Sequence, residues 1–265
     1  MRRFLLLLTV STALLSGYLL MAQTAEDALL APGSVSRDAV LTIFIPPIPN
    51  APFQAVVETE IVKHLPDGVF KTSRNYRLIA RDGKGRIYEE YRKLVDEAQE
   101  QQPKLTEVAI FYPESHTRYL CDAAMKHCKL SDYSSPLAEQ YMPAGPLENG
   151  RRYLTRDNLG VKVIDGLEVV GYRETVTLGQ GSAQKPAPVD FVQETWHSPK
   201  LEIDLQVTRT DPKHLDQTVT ISSISLGEPD PNHFTVPERA RIQDLRTSTL
   251  KAAKTAAAAG GDSSQ

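Results

Sequence analysis

Cysteine is scarce in this chain, with two among 265 residues, and the usual catalytic signatures are missing altogether. No Gly-x-Ser-x-Gly elbow, His-Glu-x-x-His zinc helix, phosphate-binding glycine loop or Cys-x-x-Cys pair occurs. Basic residues are also in short supply. Setting aside Arg2 and Arg3 of the opening segment leaves 28 basic residues against 33 acidic ones, a net charge of −5. No basic stripe offsets phosphate repulsion, so nucleic acid is not expected as a partner. These gaps point away from an enzyme and from a cofactor or resident metal, and they leave the fold to carry the reading. No internal repeat and no second domain boundary is visible.

One long hydrophobic run is present. Phe4 to Ala22 is uncharged and largely apolar and follows Arg2 and Arg3, the layout of a secretory leader. Nineteen residues also suffice to cross a bilayer, so residues 1–22 are read as a signal peptide or an uncleaved anchor. In the second case, membrane contact runs through the leader alone. No cysteine closes the leader, which excludes a lipoprotein signal. The expected address is periplasmic or secreted, with inner-membrane anchoring as the alternative. Behind such a leader Cys121 and Cys128, with six residues between them, favour a disulfide at a hairpin tip. So short a loop is worth on the order of 2.5 kcal/mol. A metal or redox site built from Cys121, Met125, His127 and Cys128 is the minor alternative, since the spacing matches no zinc pattern.

The clearest pattern is period two. Leu201, Ile203, Leu205 and Val207 alternate with Glu202, Asp204, Gln206 and Thr208, the mark of a strand with one buried face. Glycine and proline punctuate similar stretches along the chain. Pro66-Asp67-Gly68, Asp82-Gly83-Lys84-Gly85 and Asp165-Gly166 read as hairpin turns. Leu105 to Tyr112 is apolar on both parities, as a strand covered on two sides would be. Parity shifts at Gly171 and near Ser222-Ser223 predict β-bulges. Residues 86–98 fit either a strand or a helix, and a strand from Arg86 to about Arg92 is favoured by the turn before it.

The expected organisation is a leader (1–22), a leading segment (23–50), a single β domain (51–240) and an Ala-rich low-complexity tail (241–265). In the leading segment, Val40 to Ile45 is bounded by Pro46, Pro47 and Pro49. It reads as an edge strand or as a lead-in packing across the sheet. Phe234 and Val236 are expected to close the core. The proline-rich stretch 131–150 is long enough for a lid.

Isolated chemistry is weak. Ser182 and Lys185 have Ser-x-x-Lys spacing, but Gly179, Gly181 and Pro186 deny them a helix. Glu202 and Asp204 share a strand face and read best as a solvated pair. The histidines (His64, His116, His127, His197, His214 and His233) are scattered, with His197 beside Trp196 and His233 beside Phe234 near turns. No ligand-binding residue is assigned.

Three stretches resemble known proteins. They are Gly160-Val-Lys-Val-Ile-Asp-Gly-Leu-Glu-Val-Val-Gly-Tyr-Arg-Glu-Thr-Val-Thr-Leu178, Glu194-Thr-Trp-His-Ser-Pro-Lys-Leu-Glu-Ile203 and Ile224-Ser-Leu-Gly-Glu-Pro-Asp-Pro-Asn-His-Phe-Thr-Val-Pro237. Together they resemble a family of secreted bacterial β proteins. More distantly they are similar to the periplasmic LolA-like lipoprotein-localisation carriers and to anti-sigma-factor-binding regulators. The resemblance spans about residues 50–240 and implies a curved antiparallel sheet, a half-barrel with minor helix at the termini. Unlike the carriers, the chain shows no evident set of lid helices.

An all-β half-barrel of about nine to eleven strands is therefore expected. Its concave face would hold a hydrophobic or lipid-like ligand, a lipid or hydrophobic peptide, under a lid from Phe44 and its prolines or from 131–150. The alternative is an envelope scaffold or sensor that binds another protein through its sheet edges. In that case Trp196, Phe191 and Phe234 would fill the concavity.

Overall fold

The computed structural model describes residues 43–246 apart from 67, 100, 134–142, 183 and 213–214. The leader, residues 23–42, the middle of the candidate lid, Ala183 inside Ser-x-x-Lys, His214 and the tail from 247 lie outside the described residues.

The fold is all-β, one open and curved sheet. Its strands are β1 (Phe53–His64), β2 (Phe70–Arg81), β3 (Ile87–Arg92), β4 (Val95–Asp96), β5 (Leu105–Tyr112), β6 (Thr117–Asp122) and β7 (His127–Asp132). They continue as β8 (Gly145–Leu147), β9 (Arg152–Ile164), β10 (Leu167–Thr177), β11 (Val189–Ser198), β12 (Ile203–Thr210), β13 (Leu215–Leu226) and β14 (Arg241–Asp244). The spatial order is β14-β7-β6-β5-β3-β2-β1-β13-β12-β11-β10-β9-β8, with β4 beside β2. All pairings are antiparallel except β14 on β7.

Among the described residues fourteen strands form where nine to eleven were expected. The surplus comes from β4, β8 and β14, pieces of two to four residues whose sequence carries no apolar alternation. β14 also belongs to a stretch assigned from sequence to the tail. Residues 86–98 resolve as β3, then β4, then a 3-10 turn over Glu97–Gln99. The helices among the described residues are 3-10 turns only.

Two bulges lie where the parity shifts. The register of β10 on β9 slips between Gly171 and Tyr172. That of β13 on β1 slips opposite Gln54/Val56, next to Ser223 with its φ of 55°. Bulges sharpen twist, and the sheet coils accordingly. Asp165, in the two-residue β9–β10 turn, accepts a 2.6 Å hydrogen bond from Ile224 N–H of β13, three strands away in the sheet.

The main core gathers Phe53, Ala55, Val57, Ile79, Ile87, Leu167, Val169, Leu201, Ile203, Leu205, Val219 and Ile221. The face of the sheet that carries this cluster is its inner face. β2, β3 and β5 are buried on the other face as well. Ile79, Ile87 and Phe111 join the main core, while Ala80, Tyr88, Val108 and Ile110 form a second cluster around Phe234. Residues Pro231–Phe234 make a 3-10 turn over this outer face, tied down where Tyr112 Oη donates to Phe234 O at 2.7 Å. Phe234 and Val236 thus close a core, but the outer one; Phe234 does not fill the concavity, where the scaffold alternative placed it.

Candidate functional site

The inner face falls into three zones. In the middle zone the apolar strands are not closed over by other strands. They are covered by an extended segment, whose Ile43 and Ile45 are buried inside the main core. The prolines that follow end any strand there, and the segment joins no strand of the sheet among the described residues. Arg81 anchors it. This guanidinium is fully buried and lies 5.0 Å from the Phe53 ring centroid. It donates to the carbonyls of Pro46, Ala51 and Leu201, each at 2.9 Å. Burial pushes its pKa down to about 10, partly offset by the charge of Glu202, so it stays cationic at neutral pH. Gly85 completes the seat: a Cβ there would stand 3.0 Å from the Pro47 carbonyl oxygen.

The second zone is polar and largely buried. Directly paired residues of adjacent antiparallel strands share a face. Gln217, Arg209, Gln193, Glu174 and Arg156 therefore form one inner row across β13, β12, β11, β10 and β9. Gln217 and Arg209 are buried, and Arg156 Nε donates to Glu174 at 3.0 Å. Beyond the row, Phe191 packs with Leu154 and Val176 in a third cluster. The guanidinium carbons of Arg209 and Arg152 lie 4.3 and 5.4 Å from its ring centroid. Arg152 also pairs with buried Asp190 at 2.6 Å. This row divides the inner face into two apolar compartments.

The third zone is open. A groove of about 420 Å³ runs over β5, β6, β7 and β14, lined among others by Glu107, Leu120, Asp122, His127, Lys129 and Arg241. It lies on the inner face, because Ile79 of the main core leads by direct pairing through Glu89, Ala109 and Leu120 to Lys129. Asp122 accepts from His127 Nδ1 and from Lys126 N–H, both at 2.8 Å. Those hydrogen bonds hold its carboxyl below the usual carboxylate range.

Residues singled out from sequence meet varied fates. Cys121 and Cys128 face each other across β6 and β7 and are joined by a disulfide, with Cα atoms 4.0 Å apart. Their sulfurs are therefore not offered to a metal with Met125 and His127. Glu202 and Asp204 do not form a carboxylate pair. Glu202 sits in the turn before β12 at φ 54°, while Asp204 takes a 2.9 Å hydrogen bond with His197 Nδ1. His64 pairs with Asp216 at 3.2 Å, and His233 stacks on Tyr88 with centroids 4.6 Å apart. Among the described residues no group of three or more His, Cys, Asp or Glu could hold a metal ion. Of the three aromatic residues expected in the concavity, Trp196 packs against the main core, Phe191 lies beyond the polar row, and Phe234 is on the opposite face.

Sequence reading missed the buried arginines. Arg81 continues the parity of Ile79, and Arg209 that of Ile203, Leu205 and Val207. A charge at the next core-facing step of an apolar alternation was the available signal.

No family model matches the chain, and no curated protein matches it. Solved structures do. A LolA superfamily protein from Nitrosomonas europaea is 10% identical, over 71% of this chain and 91% of that one, with a TM-score of 0.29. LprF from Mycobacterium bovis is 16% identical over 72% and 90%, also at 0.29. The lipoprotein LppX from Mycobacterium tuberculosis is 10% identical over 69% and 89%, at 0.27. The likeness to LolA-like proteins read from the strand and turn grammar thus recurs among solved structures. No described helix is long and apolar enough to cross a membrane.

Proposed function

We propose that this chain is a non-enzymatic envelope protein that holds a hydrophobic or lipid-like ligand on the inner face of its curved sheet. One observation carries the reading: Ile43 and Ile45, from an extended segment, occupy the apolar middle of a sheet that does not close. A linear apolar segment lying in that place is a stand-in for an acyl chain, and the two compete for the same surface. The groove over β5–β7 and β14 offers the polar end of such a ligand a wet exit with Lys129 and Glu107 at its margin. The leader read from residues 1–22 supports an extracytoplasmic address, periplasmic or secreted.

Native mass spectrometry of the chain purified from an envelope fraction tests the proposal. A retained lipid mass at one per chain is expected. A fluorescent fatty acid should bind saturably, and more tightly to Ile45→Ser, whose segment competes less well. No retained mass, together with no saturable probe binding by either protein, overturns it.

A further inference from the structure

The open groove carries its charges sorted by sign. Glu107 of β5 stands directly opposite Asp122 of β6. Like charges so placed destabilise a sheet unless something lies between them. His127 relieves Asp122 in part through the 2.8 Å hydrogen bond. Glu107 has no cation of its own among the described residues. On its other side it pairs with Tyr91, whose hydroxyl donates instead to Glu89 at 3.1 Å. The basic side lies on the next two strands. Arg241 of β14 is beside His127 and Gln243 beside Lys129, so Lys129 and Arg241 are diagonal neighbours on the same face. Neither has an ion-pair partner among the described residues. Glu107 is two strands from Lys129, roughly 10 Å at the usual spacing, and Leu120 lies between them. The Cys121–Cys128 bridge ties the residue before Asp122 to the residue before Lys129, which fixes the acidic side against the basic one.

We propose that this groove binds the headgroup of a zwitterionic phospholipid that carries a primary ammonium, with the ammonium between Glu107 and Asp122 and the phosphate between Lys129 and Arg241. The inference rests on the lipid reading above and names the headgroup. A primary ammonium has donors enough for both carboxylates. The phosphate accepts charge-assisted hydrogen bonds from Lys129 and Arg241. A quaternary ammonium has no N–H and is held by aromatic faces, and among the described residues no Phe, Tyr or Trp lines the groove. An anionic headgroup without an ammonium leaves the facing carboxylates unrelieved.

The test offers the full-length chain equimolar dioleoyl phosphatidylethanolamine, phosphatidylcholine and phosphatidylglycerol in nonionic detergent micelles, with retained lipid read by native mass spectrometry. The ethanolamine lipid should be retained about tenfold over each of the others, as one charge-assisted hydrogen bond implies. Glu107→Gln should bring its ratio to the choline lipid down to about one, while Glu107→Asp keeps most of the preference. Lys129→Gln combined with Arg241→Gln should weaken all three lipids about tenfold or more, with unchanged thermal unfolding showing that the fold is intact. Soluble glycerophosphoethanolamine should compete about a hundredfold more weakly than the lipid, because it lacks the acyl chains. Equal retention of the three lipids, a preference that survives Glu107→Gln, or equal competition by the soluble headgroup overturns the proposal. Saturable fatty-acid binding in any of those cases leaves the ligand reading standing and removes the headgroup alone. Failure of every phospholipid and of the fatty acid to bind removes both.

Discussion

Strands β2, β3 and β5 are packed on both faces, whereas β9–β13 bury one face and wet much of the other. In the first region neighbouring residues belong to different cores: Ile79 and Ala80, Ile87 and Tyr88, Ile110 and Phe111. In the second, the inner row from Gln217 to Arg156 is backed on the outer face by a row of Arg173, Glu194, Thr208 and Thr218, which runs on into Glu60 of β1 and Arg74 at the far end of β2. Its ion pairs are close, with Arg173–Glu194 and Arg74–Glu60 both at 2.6 Å, yet they are largely exposed. One region takes its stability from two apolar layers and a buried arginine. The other combines one layer with a polar surface whose charge pairs add little.

The comparison can be pressed hardest at Arg81. Arg81→Ala removes three hydrogen bonds, one of them to the buried Leu201 carbonyl, and the packing of a fully buried side chain, and should cost on the order of 4 kcal/mol in denaturant unfolding. An effect below about 1 kcal/mol would mean that water replaces the guanidinium and the clamp is dispensable. Phe234→Ala empties the outer layer and should cost about 3 kcal/mol. Amide exchange should rise first in β3 and β5, and a uniform rise would deny the two-layer account. In the other arm, Gly171→Ala sets a Cβ 2.4 Å from the Trp196 ring and should cost roughly 1–3 kcal/mol, much of it recovered in Trp196→Leu. The Arg173–Glu194 pair should show a coupling below about 1 kcal/mol in a double-mutant cycle, shrinking with salt.

The smallest expected effect is one of pH. The Asp122 carboxyl is held low by His127 and the Lys126 N–H, so its contribution is present at neutral pH. It is lost as pH falls below about 4 and through the folded value. The Tm gap between wild type and Asp122→Asn should therefore close in acid. A gap that widens there would contradict the sign.

The same contrast explains what the sequence revealed. Where one face is wet, alternation is plain: Leu201 to Val207 was legible, and so were the bulges beside Gly171 and Ser223. Where both faces are buried, period two vanishes, and residues 86–98 fitted helical spacing too, so that the strand from Arg86 to about Arg92 was favoured only by the turn before it. β14 left no trace, because all four of its side chains are exposed and it is placed by backbone hydrogen bonds alone. Val161 and Val163 mislead in the opposite sense, being apolar yet 61% and 69% exposed on β9. Of the inner-face site, the apolar cover around Ile43–Ile45 was foreseeable as a lead-in across the sheet. The polar row was not, because it exists only when five strands come into register.

The seat of Ile43 and Ile45 has a consequence for the order of assembly. Those residues are made early, but part of their surroundings, Leu201 to Ile221, is synthesised more than 150 residues later. At typical synthesis rates that interval lasts on the order of ten seconds or more, during which two isoleucines wait without that half of their seat. The earliest piece of the fold to appear is thus among the last to settle, and slowing the ribosome prolongs its exposure.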